Sequence, residues 1–365
     1  MEKSKWYLAP AAVLWLALSL ACWLLPEKDI SEAERRPLAK LETVTPASIL
    51  DGSFMDAFTD AAVDQFPLRQ TFRSIKSRFH TGILGQKDNN GIYFADGYAV
   101  KQEYPLNTES LAHAADRFGW LWGNYLADSG CRAYMAIVPD KGYYLAQEAG
   151  QLTLDQQALQ TYFREAMPWA EHIDLTDALS RQDYYRTDIH WRQEQLLKAA
   201  RKLCDAMGTA APEAEDYTVT MLEKPFYGVY SGQAALPMEA DALRILESEL
   251  LAGSTVYDHE TGKTGAVYDM AALESLDLYD VFLSGAKSLL TVENPAGEPG
   301  RELVIFRDSF GSSIAPLLLQ GYSRVTLVDI RYIQPQILNR FLSFEGCDVL
   351  FLYSTPVLNN SSTIK

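Results

Sequence analysis

Four runs in the last third of the chain, "SLLTVENP", "ELVIFRDSF", "RVTLVDIR" and "DVLFLYS", are short, apolar and bounded by turn residues. Runs of this kind are expected of strands buried on both faces. Upstream, helical spacing alternates with further strands. Leu111, Ala115, Phe118, Leu121, Trp122 and Tyr125 follow a cap at Asn107 or Thr108 and predict a helix ending near Ser129-Gly130. "CRAYMAIVPDKGYY" reads as a strand stopped by Pro139 and "HIDL" as another. Leu196, Leu197, Ala200 and Leu203, with Gly208 beyond them, read as a second helix. This alternation predicts an α/β domain built on a doubly wound, mainly parallel sheet.

Other segments depart from the pattern. Residues 27–45 are charged and weakly patterned, as in a tether. The segment from Ala47 to Leu84 has helical spacing at Ile49, Phe54, Phe58, Phe72, Ile75 and Phe79. "DNNGIYFADGYAV" predicts a hairpin turning at Asp96-Gly97. Residues 209–285 mix helix signals ("EADALRILESELLAG") with hairpin signals ("TVYDHETGKTGAVYD") and read as an inserted cap. The expected organisation is an anchor over 1–26, a tether and helical lead-in over 27–87, and a catalytic domain over 88–365 that contains the insertion.

The anchor is expected from Trp6 to Leu25, an uncharged run of about bilayer-spanning length. Lys3 and Lys5 precede it, while Glu27 and Asp29 follow. The positive-inside rule then puts the N-terminus in the cytoplasm and the rest of the chain outside the cell membrane as a single-pass protein. A cleaved signal peptide is the rival, since Ser19-Leu20-Ala21 resembles a cleavage site. The apolar run continues through Trp23-Leu24-Leu25 and favours a retained anchor. Ser19, where lipoprotein signals usually carry leucine, argues against lipidation at Cys22.

Charge and ligand-type residues exclude several classes. A net charge of −16 argues against a phosphate-backbone surface, so no nucleic-acid partner is expected. Cys131, Cys204 and Cys347 are widely spaced and odd in number, and define no disulfide framework. The five histidines form no ligand pair, so no metal is expected and a metal-dependent hydrolase is disfavoured.

Chemistry concentrates in two places. Asp308-Ser309 follows the strand "LVIF" and precedes "GSSIAPLLLQ", which can start a helix. A serine at such a carboxyl edge presents its hydroxyl, and its own N–H can serve as an oxyanion donor. It needs a base, for which His190 in "YYRTDIHWRQEQ" is the candidate, with Asp188 to fix the ring's tautomer. Each residue also has a plainer role: Asp308 or Ser309 as helix cap, His190 as a satisfied polar group, Trp191 as a core aromatic.

"TDIHW" followed by "RDSFGSS" resembles the DHHW family, with Ile189 where the family name has its first histidine. That family is similar in turn to the alginate O-acetyltransferase group of SGNH/GDSL-like hydrolases. The resemblance extends through "ERRPLAKLE", "DQFPLR", "NNGIY", "VPDKGYY" and "LYDVFLSG". It implies a three-layer α/β/α fold and a catalytic triad of Ser309, His190 and Asp188 in permuted order. Asn294 and Gly285 are the candidates for the family's additional oxyanion donors. Trp191, Arg331, Tyr332 and Lys141 are candidates for substrate binding. The implied activity is serine-dependent O-acyl transfer, foremost acetyl transfer, or ester hydrolysis on a cell-envelope or secreted polysaccharide. No cofactor is needed, and a membrane-bound O-acyltransferase partner would supply acyl groups. The alternative is a non-catalytic carbohydrate-binding or envelope-assembly protein on the same scaffold.

Overall fold

The computed structural model describes residues 2–365, with side chains from Leu8 onward, and divides into two units. One unit comprises residues 1–90 with 231–238, and the other 91–230 with 239–365. The first unit is helical: α1 (Glu2–Leu24), α2 (Ser53–Asp64) and α3 (Arg69–Arg78), the last continued by a π-helical turn to Ile83. No helix among the described residues is long and apolar enough to cross a membrane. The run expected to do so begins at Trp6 and Tyr7, whose side chains lie outside the described set.

The second unit holds the sheet. Its strands are β1 (Arg132–Val138), β2 (Glu171–Asp174), β3 (Thr255–Asp258), β4 (Lys263–Gly265), β5 (Leu289–Glu293), β6 (Glu302–Arg307), β7 (Arg324–Val328) and β8 (Asp348–Ser354). They lie in the order β4-β3-β5-β7-β6-β8-β1-β2. From β7 to β2 all neighbours are parallel, while β5, β3 and β4 add an antiparallel wing. The side-chain period of two sorts each strand between two cores. Tyr134, Ala136 and Val138 of β1 face the core shared with α6 (Leu197–Met207) and α7 (Gly311–Leu318). Ala133, Met135 and Ile137 face the core shared with α4 (Thr108–Leu121) and α5 (Gln156–Ala166). The result is the expected three-layer α/β/α fold. Each fully buried Leu, Ile or Phe of these cores contributes about 1.5–3 kcal/mol.

Local signals explain the boundaries. Asn107 caps α4 by accepting from the Ser110 N–H at 3.1 Å. Gly208, at φ 63°, ends α6. Asp96 and Gly97 both have positive φ, 48° and 81°, in the turn joining the paired segments 92–95 and 98–101.

Two expectations are corrected. Residues 289–293 are a strand, but β5 runs antiparallel to β7, with Leu289 opposite Val328 and Glu293 opposite Arg324. A continuous apolar run marks burial and carries no information on direction. "DALRILE", read as helical, is a strand over Asp241–Glu247 paired with Thr218–Phe226. Its alternating buried positions Asp241, Leu243 and Ile245 satisfy the two-residue period of that pairing.

Candidate active site

β6 delivers Ser309 to the carboxyl edge of the sheet, and buried polar groups shape the turn that carries it. One carboxylate oxygen of Asp308 accepts from the Phe310 N–H at 3.0 Å, and the other from the N–H of Ser354, the last residue of the parallel β8, at 2.7 Å. Beneath the turn, fully buried Arg307 donates to the Ser312 hydroxyl at 3.0 Å and to the Asp308, Gly285 and Lys287 carbonyls at 3.3–3.4 Å. Burial lowers its pKa from the ordinary guanidinium value. A Cβ on Gly311 would lie 2.7 Å from the Arg307 Cβ, so glycine there lets α7 start against the strand end. Ser309 is half-buried between buried neighbours.

The candidate base, His190, comes from the loop 184–191, closed by pairing of Tyr184 with Trp191. His190 Nε2 lies 2.7 Å from Ser309 Oγ, and its Nδ1 lies 2.6 Å from Asp188 Oδ1. An ionised carboxylate only accepts, so the network assigns the proton to Nδ1 and leaves Nε2 to accept from the serine hydroxyl. The other Asp188 oxygen accepts from the Val229 N–H at 2.9 Å. A Cβ on Gly228 would lie 2.3 Å from the Asp188 Cα, so only glycine permits this approach. Tyr279 stacks on the imidazole, with ring centroids 3.9 Å apart and planes 10° apart. Its hydroxyl bonds Ser313 of α7 at 2.7 Å.

The backbone of this loop is fastened twice more. Asp241 accepts from the Arg186 and Thr187 N–H groups at 3.0 and 2.8 Å and from the Thr187 hydroxyl at 2.6 Å. Lys141, fully buried, donates to the carbonyls of Tyr185, Arg186 and Asp188 at 2.9, 3.3 and 2.6 Å. Burial pushes its ammonium down to about 8, against the pull of Asp140 and Asp188. Burial also raises the neighbouring Asp140 to about 6, although the Gly142 N–H at 2.6 Å opposes it.

The structure thus brings Ser309, His190 and Asp188 into one hydrogen-bonded chain, and most of the secondary candidates fall elsewhere. Asn294 lies at the opposite edge of the sheet because β5 is antiparallel, and its amide donates to the Leu319 and Tyr322 carbonyls at 2.7 and 3.1 Å. It is no oxyanion donor for Ser309. Gly285 is a turn residue at φ 76° whose N–H is bonded to the Phe282 carbonyl at 3.1 Å. Trp191 is fully buried, and its indole donates to Ser313 Oγ at 2.8 Å and the Phe310 carbonyl at 3.2 Å, fastening the base loop to the serine turn. Lys141 binds backbone as described. Arg331 is held in two-point contact by buried Asp329, at 2.9 and 2.7 Å. Of the four substrate candidates Tyr332 alone presents an exposed side chain. Sequence reasoning missed Tyr279, Asp241 and Gly228; "LYDVFLSG" contained the first, but no pattern tied it to His190.

No protein-family model matches the chain, and no curated protein matches it either. Solved structures do. A DHHW family protein from Eubacterium siraeum aligns over 76% of this chain and 95% of its own, at TM-score 0.61 and 21% identity. PatB1 from Bacillus cereus, in a structure with a sulfonyl adduct, aligns over 73% and 95%, at TM-score 0.58 and 17% identity. The O-acetyltransferase domain of Pseudomonas putida AlgJ aligns over 74% and 92%, at TM-score 0.46 and 13% identity. The chain therefore has the fold of a DHHW family protein, as the resemblance of its motifs implied, and also that of PatB1.

Proposed function

We propose that the protein is a serine-dependent O-acyltransferase, foremost an O-acetyltransferase, that acts on hydroxyl groups of a cell-envelope or secreted polysaccharide. The observation that carries this reading is the continuous chain from Asp188 through His190 to the half-buried Ser309, at 2.6 and 2.7 Å. In this mechanism Ser309 Oγ attacks the acyl carbonyl while His190 Nε2 takes the hydroxyl proton. The Ser309 N–H is the donor for the oxyanion, because the Phe310 and Gly311 N–H groups are bonded to Asp308. Collapse expels the leaving group, which takes the proton from His190, and leaves an acyl ester on Ser309. A sugar hydroxyl then gives its proton to His190, attacks the ester and releases Ser309; water in its place gives hydrolysis.

The same reading places α1 in the cell membrane with the sheet-bearing unit outside. Its support is the uncharged run to Leu25 and the exposure of Leu8, Val13, Leu14, Leu16 and Leu20 along that helix. The acyl donor would come from a membrane-bound O-acyltransferase partner, as the motif resemblance implies.

The test uses the purified full-length chain and a sulfonyl fluoride, a reagent for activated serines. Labelling should map to Ser309 and vanish in His190→Ala. The wild type should hydrolyse a small acetyl ester and, given an oligosaccharide, yield acetylated product detectable by mass. Ser309→Ala and His190→Ala should each lose about 10³-fold or more, and the double variant little beyond that. A folded wild type that is neither labelled nor active, and binds glycans as well as Ser309→Ala does, would decide for the non-catalytic binding protein.

A further inference from the structure

Helix α3 and its continuation to Ile83 are arranged inside out. Arg69 and Arg73 turn inward onto Glu34, Arg73 also donating to the Gly232 and Gln233 carbonyls at 3.0 and 3.2 Å. The fully buried Ser77 hydroxyl donates to the Ala234 carbonyl at 2.8 Å. The apolar side chains take the other face. Leu68, Phe72, Ile75, Phe79 and Ile83 recur at intervals of four, three, four and four, and are 42–74% exposed. A helix of a soluble protein normally buries such a stripe, and an uncovered one marks an interaction surface.

Two independent observations say what covers it. The first is charge: from Gln65 to Lys87 there is no Asp or Glu, in a chain of net charge −16, while Lys76, Arg78 and Lys87 are exposed cations. At about 100° per residue, Lys76 and Arg78 fall on the two sides of the apolar stripe. A cationic rim around an apolar face suits anionic headgroups above acyl chains, and opposes pairing with a second copy of itself. The second is continuity. A groove of 410 Å³ joins the end of α1, at Trp23 and Leu25, to Phe58, Ala62 and Phe66. Phe66 packs edge-on against Phe72, within the stripe, at 5.5 Å.

We infer that the segment Leu68–Ile83 is an interfacial helix that lies on an anionic lipid bilayer, with its apolar stripe among the acyl chains and Lys76 and Arg78 at the headgroups. This goes beyond acyl transfer and shares with that reading only the insertion of α1.

The test reconstitutes the full-length protein into phosphatidylcholine vesicles with and without phosphatidylglycerol. An environment-sensitive fluorophore is attached through Ile75→Cys, Ile83→Cys or, on the exposed polar side, Gln70→Cys, with Cys22→Ser and Cys131→Ser as background. With phosphatidylglycerol, labels at 75 and 83 should shift to the blue and be quenched by brominated acyl chains several-fold more than the label at 70. The shift should weaken without the anionic lipid. An aqueous spectrum at 75 and 83, or a blue shift that brominated lipid does not quench, would overturn the inference; the latter would mean that protein covers the stripe. A label on native Cys22, read alone, reports insertion of α1, so an anchored chain with aqueous signals at 75 and 83 sinks this inference alone. Ester hydrolysis, scored separately, bears only on the acyltransferase reading.

Discussion

Two buried aspartates stand at opposite edges of the sheet and show what burial of a carboxylate does and does not mean. Asp348 opens β8 at the amino edge. It accepts from Arg132 at 2.9 and 3.0 Å and from the Tyr322 hydroxyl at 2.8 Å, with Arg301 at 3.6 Å. Asp188 lies at the carboxyl edge and meets an imidazole and backbone N–H groups. Both are nearly inaccessible. Guanidinium groups keep their charge, so the Asp348 cluster is a static clamp. An imidazole can take up a proton and pass it on, and its second nitrogen here faces the Ser309 hydroxyl. The chemistry resides in the partner and in where the chain of bonds ends.

The contrast is sharpest in Asp188→Asn. An amide at that position favours the wrong tautomer of His190, and ester turnover should fall by about 10³–10⁴-fold. The fold should remain, as near-ultraviolet circular dichroism would show; a loss under tenfold would undo the assignment. At the other edge, Asp348→Ala should leave turnover per folded molecule unchanged but cost about 1–3 kcal/mol in denaturant unfolding, because it leaves the buried Tyr322 hydroxyl without its acceptor. A drop in kcat with unchanged stability would erase the distinction between the edges.

Lys141 tests the space between these cases, being buried like a clamp but fastened to the loop of Asp188. Lys141→Met removes three donors from that backbone and should lower kcat about tenfold with little change in KM, since the loop positions the base and does not hold substrate. The smallest effect concerns Asp140. Burial raises its folded pKa to about 6, above the ordinary aspartate value of 3.8. The protonated carboxyl's contribution is therefore complete below about pH 4 and lost as pH rises through 6. Against Asp140→Asn, the wild type should lose about 1–3 kcal/mol across that window in urea titrations at matched pH. Parallel curves would show that Asp140 is ionised in the folded protein at all these values.

What the sequence made legible follows from how local each cause is. The turn at Asp96-Gly97, the cap at Asn107 and the strand, turn and helix around Ser309 are set by neighbouring residues, and the structure has them where the pattern predicts. Asp188 and His190 were legible through their i, i+2 spacing beside Trp191, together with the resemblance of both motifs. Strand direction was not: β5 is as apolar as its parallel neighbours, and its reversal carries Asn294 to the wrong edge. Lys141 follows a strand at the site's edge, yet whether a lysine there meets substrate or carbonyls depends on a loop more than forty residues away. Residues 241–247 joined a strand because a partner strand was available, which their own helix propensity could not reveal. The outward stripe of α3 was visible as periodicity, but periodicity does not say which face is covered.

The bond from Ser354 to Asp308 has a consequence for synthesis. A ribosome releases the chain from its amino end, so Asp188 and His190 emerge more than a hundred residues before Ser309. Even then the turn bearing the serine lacks one of its two holds until residue 354 has left the exit tunnel and β8 has slotted between β6 and β1. The turn that carries Ser309 thus gains its second hold only once β8 is in place. Until then the serine turn of a nascent chain rests on the Asp308–Phe310 bond alone.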